Sequence, residues 1–279
     1  MSRPLLVIDG DSLAHRAYHA IPKTIRRGED RRPANTLVGF SNFLLRLWES
    51  EQPRAVLVGW DSLDSPTYRH ELFASYQSGR QFDAELLEQL DLLPELVRAF
   101  GFGAAKAAGY EADDFLAAAV KQEEERGGTA VVATSDRDSF QLASPRTTIL
   151  QPVRGVSELT RVGPEEVRER YGVEPEQVPD FIALRGDPSD RLPGAKGVGP
   201  KTAADILRQY GTLDAALAEG RFAAQADELR VYKRMATLDA GAPLPPLDDQ
   251  TPAWAEASAF ARELGMNALA DRLGVLAST

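Results

Sequence analysis

The chain has 279 residues, of which 43% are hydrophobic and 27% are charged, as is usual for a soluble globular protein with one large or two moderate domains. It has no cysteine and three histidines, which excludes disulfides and thiolate sites and leaves oxygen ligands, preferred by Mg²⁺ and Mn²⁺, for any metal. The net charge of −10 does not exclude a nucleic-acid partner, because binding depends on a local basic face.

Up to about residue 172, short apolar runs alternate with helical patterns. The runs at 5–9, 55–61 and 130–136 predict buried strands of a parallel sheet. Helical spacing predicts helices at 12–19, 36–50, 85–100 and 112–126, whereas 65–82 fits neither pattern. This alternation predicts a three-layer α/β domain over 1–173 with a mainly parallel sheet.

From about residue 174 the strand patterns stop. Helical patterns follow at 177–184, 201–210, 213–218 and 224–238, with two more at the C-terminus. The proline-rich and acidic stretch 242–252 is typical of an extended connector. We therefore expect a second, helical domain over 174–279.

Each of the three predicted strands ends on an aspartate, namely Asp9, Asp61 and Asp136. The carboxyl ends of parallel strands lie at one edge of a sheet, where ligands bind. Three converging carboxylates repel one another unless a cation joins them. The pattern predicts a divalent-metal site at this edge.

Six more acidic residues extend the predicted site: Glu111, Asp113, Asp114, Asp138, Asp187 and Asp190. Carboxylates at a helix start can serve only as caps, and aspartates in a turn often only bond to backbone, so these alternatives stay open. Nine carboxylates exceed what one Mg²⁺ uses. Two divalent ions about 4 Å apart use such a set for phosphate-ester hydrolysis.

A glycine-rich loop at 192–199 separates two predicted helices. Gly197 and Gly199 allow a close backbone approach, and Pro200 suits the first turn of a helix. Lys196 and Lys201 flank the loop and favour contact with a DNA backbone without sequence readout. The alternative is an ordinary helix connector.

In combination, these motifs resemble the bacterial 5′-nuclease family, which includes the N-terminal nuclease domain of DNA polymerase I and the flap endonucleases. The resemblance runs in the family's order through VIDGDSLAHRAYHA, DSPTYRHELFASYQSGR, GYEADDFLA, ATSDRDSFQL and ALRGDPSDRLPGAKGVGPKTA. It implies a PIN-like nuclease domain with a helical arch at about 63–95, and a helix–three-turn–helix motif at about 177–210. A stand-alone member is expected.

By this resemblance, one ion is held by Asp9, Asp61, Glu111 and Asp113, and the other by Asp136, Asp138 and Asp190. Asp114 and Asp187 support the two sites through water. The loop of Gly197, Val198 and Gly199, with Lys196, Lys201 and Thr202, holds the duplex backbone, with K⁺ as a further ligand. In the arch, Arg69 and Arg80 contact phosphate and Tyr76 stacks on a base.

Two positions depart from the family pattern. Gln77 stands where a lysine usually polarises the scissile phosphate, and losing such a donor typically costs on the order of 10²–10³ in rate. We expect Arg80, one turn away if this stretch is helical, to replace part of that charge. Arg191 follows the last aspartate, where asparagine is common.

The resemblance implies two-metal cleavage of DNA at 5′ flaps, overhangs, nicks or RNA-primed ends in replication and repair. One alternative is a binding member weakened by Gln77. A more distant one is a haloacid-dehalogenase-like phosphatase, because Asp9-Gly10-Asp11 ends the first strand. No leader or bilayer-spanning run is seen, so we expect a cytoplasmic, nucleoid-associated monomer without a membrane partner.

Overall fold

The computed structural model describes residues 3–62, 65–73, 76, 82–154 and 158–278. Their strands are β1 Leu5–Asp9, β2 Arg26–Arg27, β3 Arg32–Pro33, β4 Ala55–Gly59, β5 Gly103–Ala105, β6 Ala130–Ala133, β7 Thr147–Arg154 and β8 Glu158–Val162. Their α-helices are α1 Gly10–Ala20, α2 Asn35–Glu51, α3 Tyr68–Leu72, α4 Ala84–Ala99, α5 Ala112–Glu125, α6 Pro164–Tyr171, α7 Val178–Arg185, α8 Pro200–Tyr210, α9 Leu213–Ala218, α10 Ala226–Ala236, α11 Trp254–Glu263 and α12 Asn267–Leu276. Three 3₁₀ turns lie at Asp138–Leu142, Pro175–Gln177 and Ala223–Gln225.

The main sheet has the strand order β5-β4-β1-β6-β7-β8, and β2 and β3 form a separate small hairpin. All neighbours in the main sheet are parallel except β7 and β8. Strands β1, β4 and β6 are buried along their whole length, as expected for a parallel sheet covered on both faces. The predicted α/β fold with a mainly parallel sheet is confirmed.

Strand β1 lies between β4 and β6, which are reached by connections on opposite sides of it. Asp9 is in register with Gly59, and Ile8 is in register with Ala133. The three strands therefore end level with one another. Chain reversal at such a point opens a crevice at the carboxyl ends of the strands.

Three strands of the main sheet were not predicted, and neither was the small hairpin of β2 and β3. Strand β5 is the three-residue run Gly-Ala-Ala, which lacks the β-branched residues that mark a strand. Strands β7 and β8 form an antiparallel pair at the sheet edge, and β8 is only partly buried. After β8, as predicted, the described chain continues only in helices and connecting loops.

The last two helices lie within 174–279, which was predicted to form the second domain, but they pack against the first domain. Helices α11 and α12 pack against the first domain, where Trp254 contacts the rings of Trp48, Phe100 and Phe102. The predicted connector 242–252 is extended and runs back along the sheet edge. Its Gln250 accepts a hydrogen bond from Val56 N at 2.8 Å. The return path depends on these distant contacts.

No helix within the described ranges is both long enough and apolar enough to cross a membrane.

Candidate active site

A cavity of about 520 Å³ opens at the carboxyl ends of β1, β4 and β6. Eight of its lining residues are acidic: Asp9, Asp11, Asp61, Glu111, Asp113, Asp136, Asp138 and Asp190. Arg69 is the one lysine or arginine among the described residues that line it. Seven of the nine predicted carboxylates thus share one cavity, whereas Asp114 and Asp187 lie outside its lining.

Asp9 ends β1 and caps α1. Its Oδ1 accepts a hydrogen bond from Ser12 N at 2.9 Å, and its Oδ2 accepts one from Thr134 Oγ1 at 2.7 Å. Burial raises the pKa of Asp9 to about 7, and the charges of Asp61 and Asp136 add to this shift. The carboxyl is therefore held rigidly in a place that disfavours its negative charge.

The segment after β6 carries the next two acids. Thr134 Oγ1 accepts a hydrogen bond from Asp136 N at 3.0 Å, so the same hydroxyl links Asp136 to Asp9. Asp136 Oδ1 in turn accepts one from Asp138 N at 2.9 Å. Burial and then the charge of Asp136 raise the pKa of Asp138 well above its usual range.

Asp61 follows β4 and is held from two sides. Its Oδ1 accepts a hydrogen bond from Ala112 N at 2.8 Å, at the start of α5. Its own N–H donates to Asp11 Oδ2 at 2.7 Å. Asp11 is a buried cavity residue that we did not predict for the metal site. The sequence feature that marks Asp11 is the Asp-x-Asp pattern of Asp9-Gly10-Asp11, which is also the basis of the phosphatase alternative.

The start of α5 forms a reciprocal cap between Glu111 and Asp114. Asp114 is fully buried, and both of its oxygens accept hydrogen bonds from Arg69, at 2.9 and 3.1 Å. Glu111 N and Asp239 N also donate to Asp114. Asp114 thus stabilises the helix start and holds Arg69.

Asp113 differs from Glu111 and Asp114 in the hydrogen bonds that its carboxylate accepts. Its buried Oδ1 accepts no hydrogen bond from the described residues, although Arg69 Nη2 lies 3.5 Å away. Burial raises the pKa of Asp113 well above its usual range, and Arg69 opposes that shift. A buried carboxylate oxygen without a donor suits a cation as its partner.

Two of the predicted arch residues, Arg69 and Tyr76, contact acidic side chains of the cavity region. We predicted that Arg69 contacts phosphate, but its buried guanidinium pairs with Asp114 and, at 3.2 Å, with Glu111. We predicted that Tyr76 stacks on a base, but it is 4% exposed and its hydroxyl donates to Glu111 Oε2 at 2.8 Å. In this structure both residues thus fix acidic side chains. Gln77 and Arg80 lie outside the described residues.

The turn after α7 carries the last two predicted acids. Asp187 and Leu192 exchange backbone hydrogen bonds of 2.9 and 2.8 Å, which close the turn. Asp187 faces Arg185 at 3.4 Å, whereas Asp190 lines the cavity. Arg191 adopts a left-handed conformation at φ 59°. This turn brings a carboxylate of the second domain to the top of the sheet.

The donor set fits hard divalent cations, because it consists of carboxylate oxygens. Among the described residues, no three acidic or histidine side chains converge on one point as they stand. Asp9, Asp61 and Glu111 each accept a hydrogen bond from a protein donor, which for Glu111 Oε1 is Thr67 Oγ1 at 2.8 Å. Asp113 Oδ1 is the atom best suited to a cation.

The predicted glycine-rich loop connects α7 to α8. Gly197 has φ +77°, and a Cβ added at Gly197 or Gly199 would meet no atom of the described residues within 4 Å. The side chains of Lys196 and Lys201 are exposed, and none of the described side chains caps α8. The loop therefore presents backbone and two positive charges to solvent, which suits an anionic partner.

Family models match most of the chain. A 5′-3′ exonuclease N-terminal, resolvase-like domain matches residues 4–172, and a 5′-3′ exonuclease C-terminal SAM fold matches 173–256. DNA polymerase I of Mycobacterium leprae is 43% identical over 210 residues, covering 75% of this chain and 23% of that protein. DNA polymerase I of Bacillus subtilis is 33% identical, covering 98% and 32%. The chain thus spans about a quarter to a third of these relatives.

Solved structures show the same fold. T5 5′-exonuclease with bound zinc superposes with a TM-score of 0.71 at 19% identity, covering 97% of this chain and 98% of that chain. The T5 D15 flap endonuclease in a complex with DNA and metal ions gives 0.70 at 18% identity, covering 99% and 100%. The catalytic core of Rad2 with DNA substrate gives 0.60 at 14% identity, covering 98% and 91%.

Proposed function

The chain belongs to the 5′-3′ exonuclease family, and on that premise we propose that it is a structure-specific 5′ nuclease. Its substrates are DNA with 5′ flaps, overhangs or nicks, including RNA-primed ends, and its reaction is hydrolysis of a phosphodiester bond. The observation that carries this proposal is that eight acidic side chains line one cavity at the carboxyl ends of the sheet.

We assign two divalent ions, Mg²⁺ or Mn²⁺, to the cavity. Asp9, Asp61, Glu111 and Asp113 would hold one ion, and Asp136, Asp138 and Asp190 the other. Such ions activate water and neutralise charge on a phosphodiester. The structure neighbours with bound metal support the assignment of metal to this fold.

The roles of Asp114 and Asp187 are indirect. Asp114 holds Arg69 against the start of α5, and Asp187 closes the turn that presents Asp190. Arg69 and Tyr76 bond to Glu111 and so fix the direction of its carboxyl group. These side chains position ligands and leave the open cavity to the substrate.

DNA binding is assigned to the exposed loop between α7 and α8. Gly197 and Gly199 let a phosphate approach the backbone, Lys196 and Lys201 add charge, and the first turn of α8 offers N–H groups. Val198 and Thr202 belong to the same surface, and loop carbonyls would take K⁺. Such contacts bind any sequence, as a structure-specific nuclease requires.

The phosphatase alternative is not retained. It needs Asp9 as a covalent nucleophile of a haloacid-dehalogenase-like phosphatase, whereas the chain belongs to the 5′-3′ exonuclease family. The binding-only alternative depends on Gln77. A cluster of eight acids gives a binding module no benefit, because like charges repel.

The direct test compares Asp113→Asn with Asp227→Asn on a 5′-labelled flap duplex. Asp113 lines the cavity, whereas the Asp227 side chain is 99% exposed on α10. We expect Asp113→Asn to lower the rate of flap cleavage by more than about 100-fold, because a side chain that only supports a metal ligand typically costs about 10–100-fold. Binding of the flap duplex should survive. Asp227→Asn should cut like the wild type. Retained cutting by Asp113→Asn would overturn the assignment.

A further inference from the structure

Five consecutive residues, 235–239, connect the second domain to both groups of carboxylates. We call them the junction segment; it comprises the end of α10 and the three residues after it. Its hydrogen bonds are Arg69 Nε to Met235 O (3.1 Å), Gln141 Nε2 to Ala236 O (2.9 Å), Tyr68 OH to Thr237 O (3.1 Å), Leu238 N to Gln141 Oε1 (3.1 Å) and Asp239 N to Asp114 Oδ1 (2.8 Å). Each residue of the segment thus bonds to an element that bears or borders the acids.

Gln141 is the link to the acids after β6. Its Nε2 donates to Asp138 O at 2.8 Å and to Ala236 O, and its Oε1 accepts from Leu238 N. The side chain lies in the 3₁₀ turn that begins at Asp138. One amide group thus joins the backbone of a predicted metal ligand to the second domain.

Arg69 and Asp114 are the link to the acids of α5. Arg69 joins Met235 O to Asp114, and Asp239 N bonds to the same carboxylate. Asp114 also accepts from Glu111 N at 3.1 Å, so the segment reaches the backbone of Glu111 through one side chain.

On its other side, the junction segment is continuous with the helices that carry the DNA-binding loop. Helix α10 packs against α7, and Lys233 Nζ pairs with Asp180 of α7 at 2.8 Å. Helix α7 leads into the turn with Asp190 and then into the loop with Gly197. A shift of these helices on a duplex must therefore act on the junction segment.

We propose that Gln141 is a positioning residue: through the junction segment it couples the placement of the helical domain to the placement of Asp138. This inference rests on the proposed nuclease function and adds a residue to it. Gln141 itself does not line the cavity. Its effect passes through the backbone of Asp138, so it should alter cation affinity and the rate of the bound complex more than DNA affinity.

The test compares Gln141→Met with Gln250→Met. Gln250 is the control, because it is also half-buried and its side chain also bonds to backbone: its Oε1 accepts a hydrogen bond from Val56 N at 2.8 Å. It lies in the connector at 242–252, outside the predicted helix–three-turn–helix, and does not line the cavity. Methionine keeps the length of the side chain and removes its hydrogen bonds. Both variants should therefore lower the melting temperature.

Mn²⁺ binding is measured by calorimetry on the whole chain without DNA, and flap cleavage is measured separately for kcat and KM. For Gln141→Met we expect an affinity for Mn²⁺ about 10–100-fold weaker and a lower kcat, with KM for the flap little changed. For Gln250→Met we expect wild-type values. A wild-type affinity and kcat in Gln141→Met would overturn the proposal, as would equal losses in both variants.

Two further outcomes have to be separated from a failure of the proposal. If Gln141→Met does not fold, Gln141→Asn keeps the amide but is too short to reach both carbonyls, and it should show a smaller loss of the same kind. If the wild-type chain binds Mn²⁺ but does not cut the flap, the nuclease assignment fails. The Mn²⁺ affinities of the two methionine variants then still decide the role of Gln141.

Discussion

The two halves of the acidic cluster are built differently. Asp9, Asp61, Glu111 and Asp113 all come from the first domain, at strand ends and at the start of α5. In the other half, Asp136 and Asp138 follow β6, but Asp190 comes from the turn between α7 and α8. One half is therefore complete within the sheet domain, whereas the other needs the helical domain in place.

On the proposed function, this difference would link the hydrolysis of DNA to the binding of DNA. The turn with Asp190 is followed within ten residues by the exposed loop with Gly197 and Gly199. A duplex held at that loop is connected by a short, closed turn to the second group of carboxylates. We infer that the sheet domain fixes one cation site and that the helical domain completes the other.

The largest effect is expected from a substitution in the half of the acidic cluster that needs the helical domain. Asp190→Asn should lower flap cleavage by more than about 100-fold, because it removes a charge that we assign to the second proposed ion. Calorimetry should then find one Mn²⁺ per chain where the wild type binds two. An Asp190→Asn chain that still binds two ions, or binds none, would contradict the division into two halves.

The first half also depends on a buried ion pair. Arg69→Met leaves the fully buried Asp114 without its guanidinium, and breaking such a pair typically costs about 3–5 kcal/mol of unfolding free energy. Arg208→Met is the control, since the Arg208–Asp205 pair is exposed and should contribute less than about 1 kcal/mol. Urea unfolding measures both. Similar small losses would show that Arg69 does not hold α5.

A pH series measures the electrostatic strain at Asp9. Its pKa is about 7 in the folded protein against 3.8 for an ordinary aspartate. Between these values the folded state keeps a proton that the unfolded state releases, so the metal-free protein loses stability as pH rises from about 4 to about 7. Asp9→Asn removes this titration, and any other effect of the substitution on the unfolding free energy should not depend on pH.

The unfolding free energy of the wild type minus that of Asp9→Asn should fall by up to about 1.4 kcal/mol per pH unit. The measurement is urea unfolding in chelator at several pH values within this range. A difference that grows with pH would mean that Asp9 is stabilised as a carboxylate.

The smallest effect is expected at the DNA-binding loop. Lys201→Ala removes one positive charge beside α8, so duplex affinity should fall for all sequences and the salt slope should decrease by about 1. Lys121→Ala removes an exposed charge from α5 and serves as the control. Anisotropy of a labelled duplex at several salt concentrations tests this, and equal slopes in both variants would exclude Lys201 as a phosphate contact.

The sheet edge was predictable because strand ends carry a strong local signal. Asp9, Asp61 and Asp136 each close an apolar run, and parallel strands must bring such residues together. The α5 cluster and the glycine-rich loop were recognisable from their spacing within a few residues. These parts of the site depend on local sequence.

Other features depend on contacts between distant residues. Arg69 and Tyr76 read as DNA contacts, but folding places them against Glu111, which is 42 and 35 residues away in the chain. The bonds of Gln141 to Ala236 and Leu238 span more than ninety residues. The return of α11 and α12 to the first domain rests on packing of Trp254, which no local pattern marks.

The proposal that the acidic cavity hydrolyses DNA with divalent ions is tested by cleavage of a 5′-labelled flap duplex by the wild-type chain with Mg²⁺, with Mn²⁺ and with chelator. We expect cutting near the flap junction that requires either ion and stops in chelator. Tight flap binding without cutting under any metal would contradict the nuclease proposal and favour a binding-only protein in which Gln77 replaces the usual lysine.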